Sequence, residues 1–327
     1  MVKVSVCIPT YNRSHYLQYA IHSVLTQTYY DFELIVCDDG STDDTPEIIK
    51  NINDSRLIYL RHPQNIGKSN NMRSGFNQAT GKYFIKFDDD DALCQDFLTK
   101  TVQILEENND IDFVSTDHWI IDNKSIIDDQ ATKINSQKWH RETLKEGIIN
   151  DLLKQVFINQ VIQIGATLFR KTVLEEIDFL LPNIQNCEDN DLLVRLAVKN
   201  KTGYYLPSLL MKYRFHNEQI STEKSLQYLH DYLDYLNRFN FTDQEIEKYR
   251  LSKVLKTKVS LGLKLIEAGK NQEGRKLIRE SAPFTPLNKR GLVGLTLSYF
   301  PHKLTNKIIN ILRQIKPQDY ADQIRNN

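Results

Sequence analysis

The run Phe84-Ile85-Lys86-Phe87-Asp88-Asp89-Asp90-Asp91 joins a short apolar segment to four consecutive carboxylates. With Tyr83, its aromatic and branched residues favour a buried strand. Four like charges at a strand end repel one another, and no Lys or Arg occurs from 92 to 99. Relief is therefore expected from a cation outside the chain. Hard carboxylate oxygens suit Mg²⁺ or Mn²⁺. A solvated acidic turn is the plain alternative. Two further acidic clusters stand elsewhere. Asp38-Asp39-Gly40-Ser41-Thr42-Asp43-Asp44-Thr45 follows an apolar run, and Glu188-Asp189-Asn190-Asp191 opens a helical pattern. Acids in a first turn also favour a helix N-terminus for its own sake.

The elements that must position these clusters alternate. Strands are expected at 4–8, 32–37, 57–60, 84–87 and 111–114. Helices lie between them: one capped by Ser14 and running to about 27, one with Pro46 in its first turn, one ending near 79, and one from about 95 to 107. Such alternation calls for a parallel sheet with right-handed crossovers, whose ligands bind beyond the carboxyl ends of the strands. Pro9-Thr10, Asp38-Asp39 and the acidic run all fall at such ends. Residues 118–160 read as loops and short helices shaping a substrate cleft. A strand over 163–169, the helix from 188, and extended pieces at 204–206 and 210–213 follow. From 225 onward the pattern is helical.

The 327 residues suffice for one large α/β domain with an appendage. No stretch reaches the ~18 uninterrupted apolar residues of a membrane span. The start, Met1-Val2-Lys3-Val4, has no signal-peptide pattern, and Cys7, Cys37, Cys94 and Cys187 have no metal-type spacing. A cytoplasmic protein with reduced thiols is the expectation. Net charge is zero but uneven: residues 250–327 hold 16 Lys+Arg and 5 Asp+Glu, leaving 26 and 37 in 1–249. The tail is +11 and the body −11.

Taken together, these motifs resemble glycosyltransferase family 2, enzymes of the GT-A fold. The resemblance covers residues 3 to about 222. It rests on Pro9-Thr10-Tyr11-Asn12-Arg13, the turn Asp38 to Thr45, Asn65-Ile66-Gly67 with Gly75, and the acidic run in place of an Asp-x-Asp signature. It also rests on Glu188-Asp189 with Arg195, and on Tyr213-Arg214-Phe215-His216 with Ser221. An Arg-Asn pair common before the position of Gly75 is replaced here by Met72-Arg73. The implied architecture is a Rossmann-like, mostly parallel sheet flanked by helices. A GT-A domain would span 1–222, with a nucleotide-binding half (1–110) and an acceptor half (111–222). A helical, basic region over 223–327 would follow.

The resemblance also implies roles. Asp90 would ligate Mn²⁺ or Mg²⁺, with His216 completing the shell. Asp88 would touch the ribose or reach the metal through water, and Asp89 adds charge between them. Pro9, Thr10, Tyr11, Asp38 and Asp39 would hold the nucleotide, Asp39 reading the base and Asp38 being the alternative. Asp189 would be general base, with Glu188 orienting it or the acceptor. The implied reaction is inverting transfer from a nucleotide sugar, expected to be a UDP-sugar, to a glycan or lipid-linked glycan. Nucleotidyl transfer would want a Gly-rich phosphate loop that residues 9–13 lack. A non-catalytic nucleotide-sugar-binding module is the third reading. No nucleic-acid partner is expected. Segment 290–316 mixes apolar residues with Lys303, Lys307, Arg313 and Lys316, which suits an anionic membrane surface and a peripheral place on its cytoplasmic side.

Overall fold

The computed structural model describes residues 2–215, 222–281 and 289–314. The chain divides into two compact units, 1–216 and 217–326. In the first unit the strands and helices run β1 (Val4–Thr10), α1 (Ser14–Leu25), β2 (Phe32–Asp38), α2 (Thr45–Lys50), β3 (Leu57–Arg61), α3 (Lys68–Gln78) and β4 (Tyr83–Lys86). There follow β5 (Ala92–Leu93), α4 (Phe97–Glu107), β6 (Phe113–Ile121), α5 (Asp129–Lys138), β7 (Gly147–Ile148) and α6 (Leu152–Lys154). The unit closes with β8 (Thr167–Arg170), α7 (Lys171–Glu176), α8 (Glu188–Val198) and β9 (Gly203–Arg214).

All nine strands form one sheet in the order β3-β2-β1-β4-β8-β6-β9-β5, with β7 added to β9. The expected parallel half is present: β3, β2, β1 and β4 pair parallel throughout. Beyond β4 the sheet is mixed, because β8 runs antiparallel to both β4 and β6, whereas β6 and β9 are parallel. β1 and β2 are buried at every position; Ser5 and Glu33 interrupt their apolar runs, and there the Ser5 hydroxyl donates to Glu33 Oε1 at 2.6 Å. Helix α1 lays Leu17, Ile21 and Val24 on this core, beside Val6, Ile8, Leu34 and Val36.

Three local expectations change. Ser14 is the first helical residue and not the cap; its N–H is accepted by Asp43 Oδ2 at 2.9 Å, so the neighbouring βα turn caps α1. The segment read as loops from 118 begins as strand, since β6 continues through His118 and Trp119 to Ile121, and α5 is a ten-residue helix. The two extended pieces near 205 and 211 are one strand, β9. The register jumps from Thr116↔Leu206 to Asp117↔Leu209. Pro207, which has no N–H to donate, thereby sits in a bulge.

The β6–α5 excursion is fastened by a buried cluster. Arg141 Nε donates to Asp117 Oδ1 at 2.6 Å, and Ser136 Oγ donates to Asp117 Oδ2 at 3.2 Å. His118 lies beside Arg141; burial and that positive charge push its imidazole down to about 3, so it is neutral.

The second unit is helical: α9 (Thr222–Asn237), α10 (Gln244–Glu267), α11 (Asn271–Ser281), α12 (Lys289–Leu297) and α13 (His302–Gln314). α10 and α11 pack through glycines. A Cβ on Gly262 would lie 2.7 Å from the Gly274 carbonyl oxygen. Among the described residues no helix is long and apolar enough to cross a membrane.

Candidate active site

Strand direction decides what meets. β1, β2 and β4 are parallel, so Thr10, Asp38 and the loop after Lys86 emerge on one edge of the sheet. β8 reverses between β4 and β6, so β6 and its parallel neighbour β9 run the same way as β4. Arg214, the last residue of β9, therefore arrives at the same edge.

The turn after β2 is rigid. Asp38 is fully buried; its Oδ1 accepts from Ser41 N at 2.8 Å and its Oδ2 from the Tyr59 hydroxyl. Asp39 clamps the loop before α3, taking Ile66 N on Oδ1 at 2.7 Å and Gly67 N on Oδ2 at 3.1 Å. Gly67 needs its freedom there, with φ at +90°. Each Asp39 oxygen retains a second lone pair for a ligand. Pro9 and Thr10 are buried beside this turn, and Tyr11 is exposed. Asn12 ties the two turns together, its N–H reaching Ser41 Oγ at 3.0 Å and its Oδ1 accepting from Thr42 N at 2.8 Å.

The acidic run meets cations from within the chain, which corrects the expectation that relief must come from outside. Arg13 Nη1 lies 3.2 Å from Asp89 Oδ1 and 2.9 Å from Asp90 Oδ2. Lys86, almost wholly buried, places Nζ 3.0 Å from Asp88 Oδ1 and 3.2 Å from Asp189 Oδ2. The Arg214 N–H donates to Asp91 Oδ1 at 2.9 Å, and its Nε donates to the Asp90 carbonyl at 2.6 Å. Arg214 Nη1 reaches the Asp122 carbonyl at 2.8 Å, and Tyr16 and Tyr19 cover the guanidinium. Arg214→Leu would strand both carbonyls and should cost about 3–5 kcal/mol of stability. Urea denaturation would show it; a loss below about 1 kcal/mol would deny Arg214 this role.

The start of α8 faces the acidic run. Glu188 is buried against Lys68, with Oε1 2.7 Å from Nζ. Burial alone would lower the Lys68 and Lys86 ammonium pKa values. Glu188, Asp88 and Asp189 outweigh it at Lys68, and Asp189 and Asp88 do so at Lys86, so both are raised and both lysines are charged. Burial pushes the Asp189 carboxyl up against the pull of Lys86, and its Oδ1 is buried without a hydrogen-bond partner. The segment that leads into α8 is fastened to helix α3. The Ser69 hydroxyl accepts from Ile184 N at 3.0 Å, Asn70 Nδ2 donates to Asn183, and Arg73 donates to the Asp178 carbonyl at 3.1 Å. Arg195 pairs with Asp191 at 2.7 Å and so belongs to the frame of this helix.

Asp88 to Asp91, Glu188 and Asp189 are six carboxylates; Arg13, Lys68 and Lys86 pair with them directly, while the Arg214 guanidinium, bonded to backbone carbonyls, acts on Asp91 through its charge. The surplus of negative charge, together with burial, raises two of these acids. Burial and the Asp90 charge push Asp89 up to about 7, and burial with Asp90 and Asp88 raises Asp91, whose Oδ2 is buried without a partner. A divalent cation fits such a site. Among the described residues no three His, Cys, Asp or Glu side chains gather to hold one unaided. One or two carboxylates completed by substrate phosphate oxygens and water is the usual Mg²⁺ arrangement. His216 lies outside the described residues, as do Ser221 and Lys316.

Lys68, Lys86, Arg13 and Arg214 received no role from the sequence. Lys86 left a signal nonetheless, as a charge closing the otherwise apolar β4.

The Glycosyl transferase family 2 profile matches residues 5–177. Over 318 residues, 95% of this chain and 98% of the relative, the chain is 24% identical to the GalNAc(5)-diNAcBac-PP-undecaprenol beta-1,3-glucosyltransferase of Campylobacter jejuni. It is 34% identical over 124 residues to the Escherichia coli UDP-Glc:alpha-D-GlcNAc-diphosphoundecaprenol beta-1,3-glucosyltransferase WfgD, a match covering 38% of this chain and 49% of that one. An uncharacterized glycosyltransferase of Rickettsia felis is 32% identical over 62% of this chain, which spans only 31% of that relative's length. Among solved structures, S. aureus TarS 1-349 with UDP-GlcNAc superposes with a TM-score of 0.63 at 16% identity, covering 94% of this chain and 92% of TarS. The mannosyltransferase PcManGT of Pyrobaculum calidifontis, with GDP-Man and Mn²⁺, gives 0.56 at 13% identity, over 96% and 88%. These likenesses give the GT-A fold, and the profile over more than half of the chain gives the family: this protein belongs to glycosyl transferase family 2.

Proposed function

We propose that this chain is an inverting, divalent-metal-dependent glycosyltransferase that moves a sugar from a nucleoside diphosphate sugar, expected to be a UDP-sugar, to a hydroxyl of a glycan or lipid-linked glycan. One observation carries the reading: Lys86 joins Asp88 of the acidic loop to Asp189 of α8 across a single sheet edge. Asp38 and Asp39 frame the nucleotide side. Asp90 and Asp88, with His216, would hold Mn²⁺ or Mg²⁺, which when bound supplies Lewis-acid stabilisation of the leaving diphosphate. Asp189 takes the acceptor proton, and its burial raises its basicity toward that task. Lys86 and the Glu188–Lys68 pair hold the base end of α8 in position. One displacement assisted by one base inverts the anomeric carbon. The undecaprenol-linked acceptors in the names of the C. jejuni and E. coli relatives support a lipid-linked acceptor.

A donor screen tests this. Nucleoside diphosphate release should be fastest with UDP-sugars, should require Mn²⁺ or Mg²⁺, and should fall away with GDP- and dTDP-sugars. Release that is unaffected by chelation would sink the metal, and a preference for GDP-sugars would sink the base assignment.

A further inference from the structure

The helical unit carries exposed apolar residues to which the proposed transfer chemistry assigns no role. α12 is set by glycines: a Cβ on Gly294 would lie 1.9 Å from Leu263 Cδ2, and Gly291, Gly294, Leu297 and Ser298 are buried. That turn of the helix leaves Leu292 and Val293 outward, 53% and 43% exposed. Tyr299 and Phe300, seven residues after Leu292 and Val293, are 65% and 44% exposed, and Leu304 and Ile311 on α13 are exposed as well. Large apolar side chains gathered in this way mark an interaction surface.

A basic row borders it. Arg275, Lys276 and Arg279 line a shallow depression on α11. Arg275 lies over the Tyr299 ring at 4.7 Å and donates to the Ser298 carbonyl at 2.8 Å, and Arg279 donates to the Tyr299 hydroxyl. Tyr299 is thus the joint between the charged row and the apolar row. Lys307 adds an exposed ammonium between Leu304 and Ile311. The surrounding charge is predominantly positive, since residues 250–327 hold 16 basic and 5 acidic groups, with Glu280 the one acid lining the depression.

We infer that this face docks on an anionic lipid bilayer, with its aliphatic and aromatic tips entering the interface and the α11 cations among the headgroups. Only a bilayer offers a negative surface directly over an apolar layer. A second copy meeting this face with its own would set one +11 region against another, which opposes a symmetric dimer through this face. Nothing in the inference depends on the transfer reaction.

Flotation of the full chain with phosphatidylcholine vesicles, with and without phosphatidylglycerol, tests it in the absence of any donor. Binding should require the anionic lipid and weaken as salt rises. The triple variant Leu292→Ser, Phe300→Ser, Leu304→Ser, which spares the Tyr299 contacts, should bind at least about tenfold more weakly at an unchanged melting temperature. Arg275→Gln, Lys276→Gln and Arg279→Gln together should have a similar effect at low salt that fades at high salt. No binding to anionic vesicles, equal binding to neutral ones, or binding unchanged in both variants would overturn the inference. So would a dimer of the full chain that the apolar variant dissociates. Because vesicle binding and donor turnover are read separately, either can fail while the other stands.

Discussion

Replacing Asp189 with Asn should slow sugar transfer by about 10²–10⁴-fold, the usual range for loss of a general base. Nucleotide and metal binding should stay near wild type. The amide keeps the shape of the carboxylate but cannot take up the acceptor proton. Lys86 remains paired with Asp88 Oδ1, so the substitution does not orphan a buried cation. Asp189 lies in the first turn of α8, where removing one of three acids costs the helix only a few tenths of a kcal/mol. Single-turnover transfer measured beside nucleotide titration separates the outcomes. Unchanged turnover with collapsed nucleotide affinity would move Asp189 to the donor side. Loss of both with a lower melting temperature would make it a structural member of the Lys86 cluster.

The parallel half of the fold was legible because its signals are local. β1 and β2 are apolar at nearly every position and buried at all of them, and the residues that end them are polar. Of the candidate site, the sequence drew attention only to the acids, which are consecutive or nearly so. Its cations were not, because ion pairs ignore sequence distance: Arg13 and Asp90 are 77 residues apart, Lys86 and Asp189 are 103 apart. A reading that looks a few residues downstream of Asp91 for relief finds none, although the fold brings four cations. Pro207 hid the continuity of β9, since proline normally ends a central strand and only the bulge opposite Thr116 and Asp117 accommodates it. The cap of α1 was misplaced for a related reason. Ser14 has the right chemistry for a cap, but Asp43, 29 residues away, already accepts its N–H.

Asp90→Asn should remove metal-dependent turnover, a drop of roughly 10³-fold or more, because several kcal/mol of charge stabilisation on the leaving diphosphate would be lost. The fold should survive it. The Asp90 carbonyl, which anchors Arg214, is backbone and unchanged, and the loop keeps the Arg214 N–H bond to Asp91. Arg13 sharpens the test. Its guanidinium sits 2.9 Å from Asp90 Oδ2, and a cation held by the chain competes with one from solution for that oxygen. Arg13→Gln should therefore leave Mn²⁺ binding intact or tighten it, whereas Asp90→Asn should weaken it. Titrating free Mn²⁺ by electron paramagnetic resonance, with donor absent and then present, reads both variants without any turnover. If Asp90→Asn binds Mn²⁺ as the native chain does and keeps its turnover, Asp90 is not the ligand. If Arg13→Gln loses Mn²⁺ instead, the guanidinium supports the site and does not compete for it.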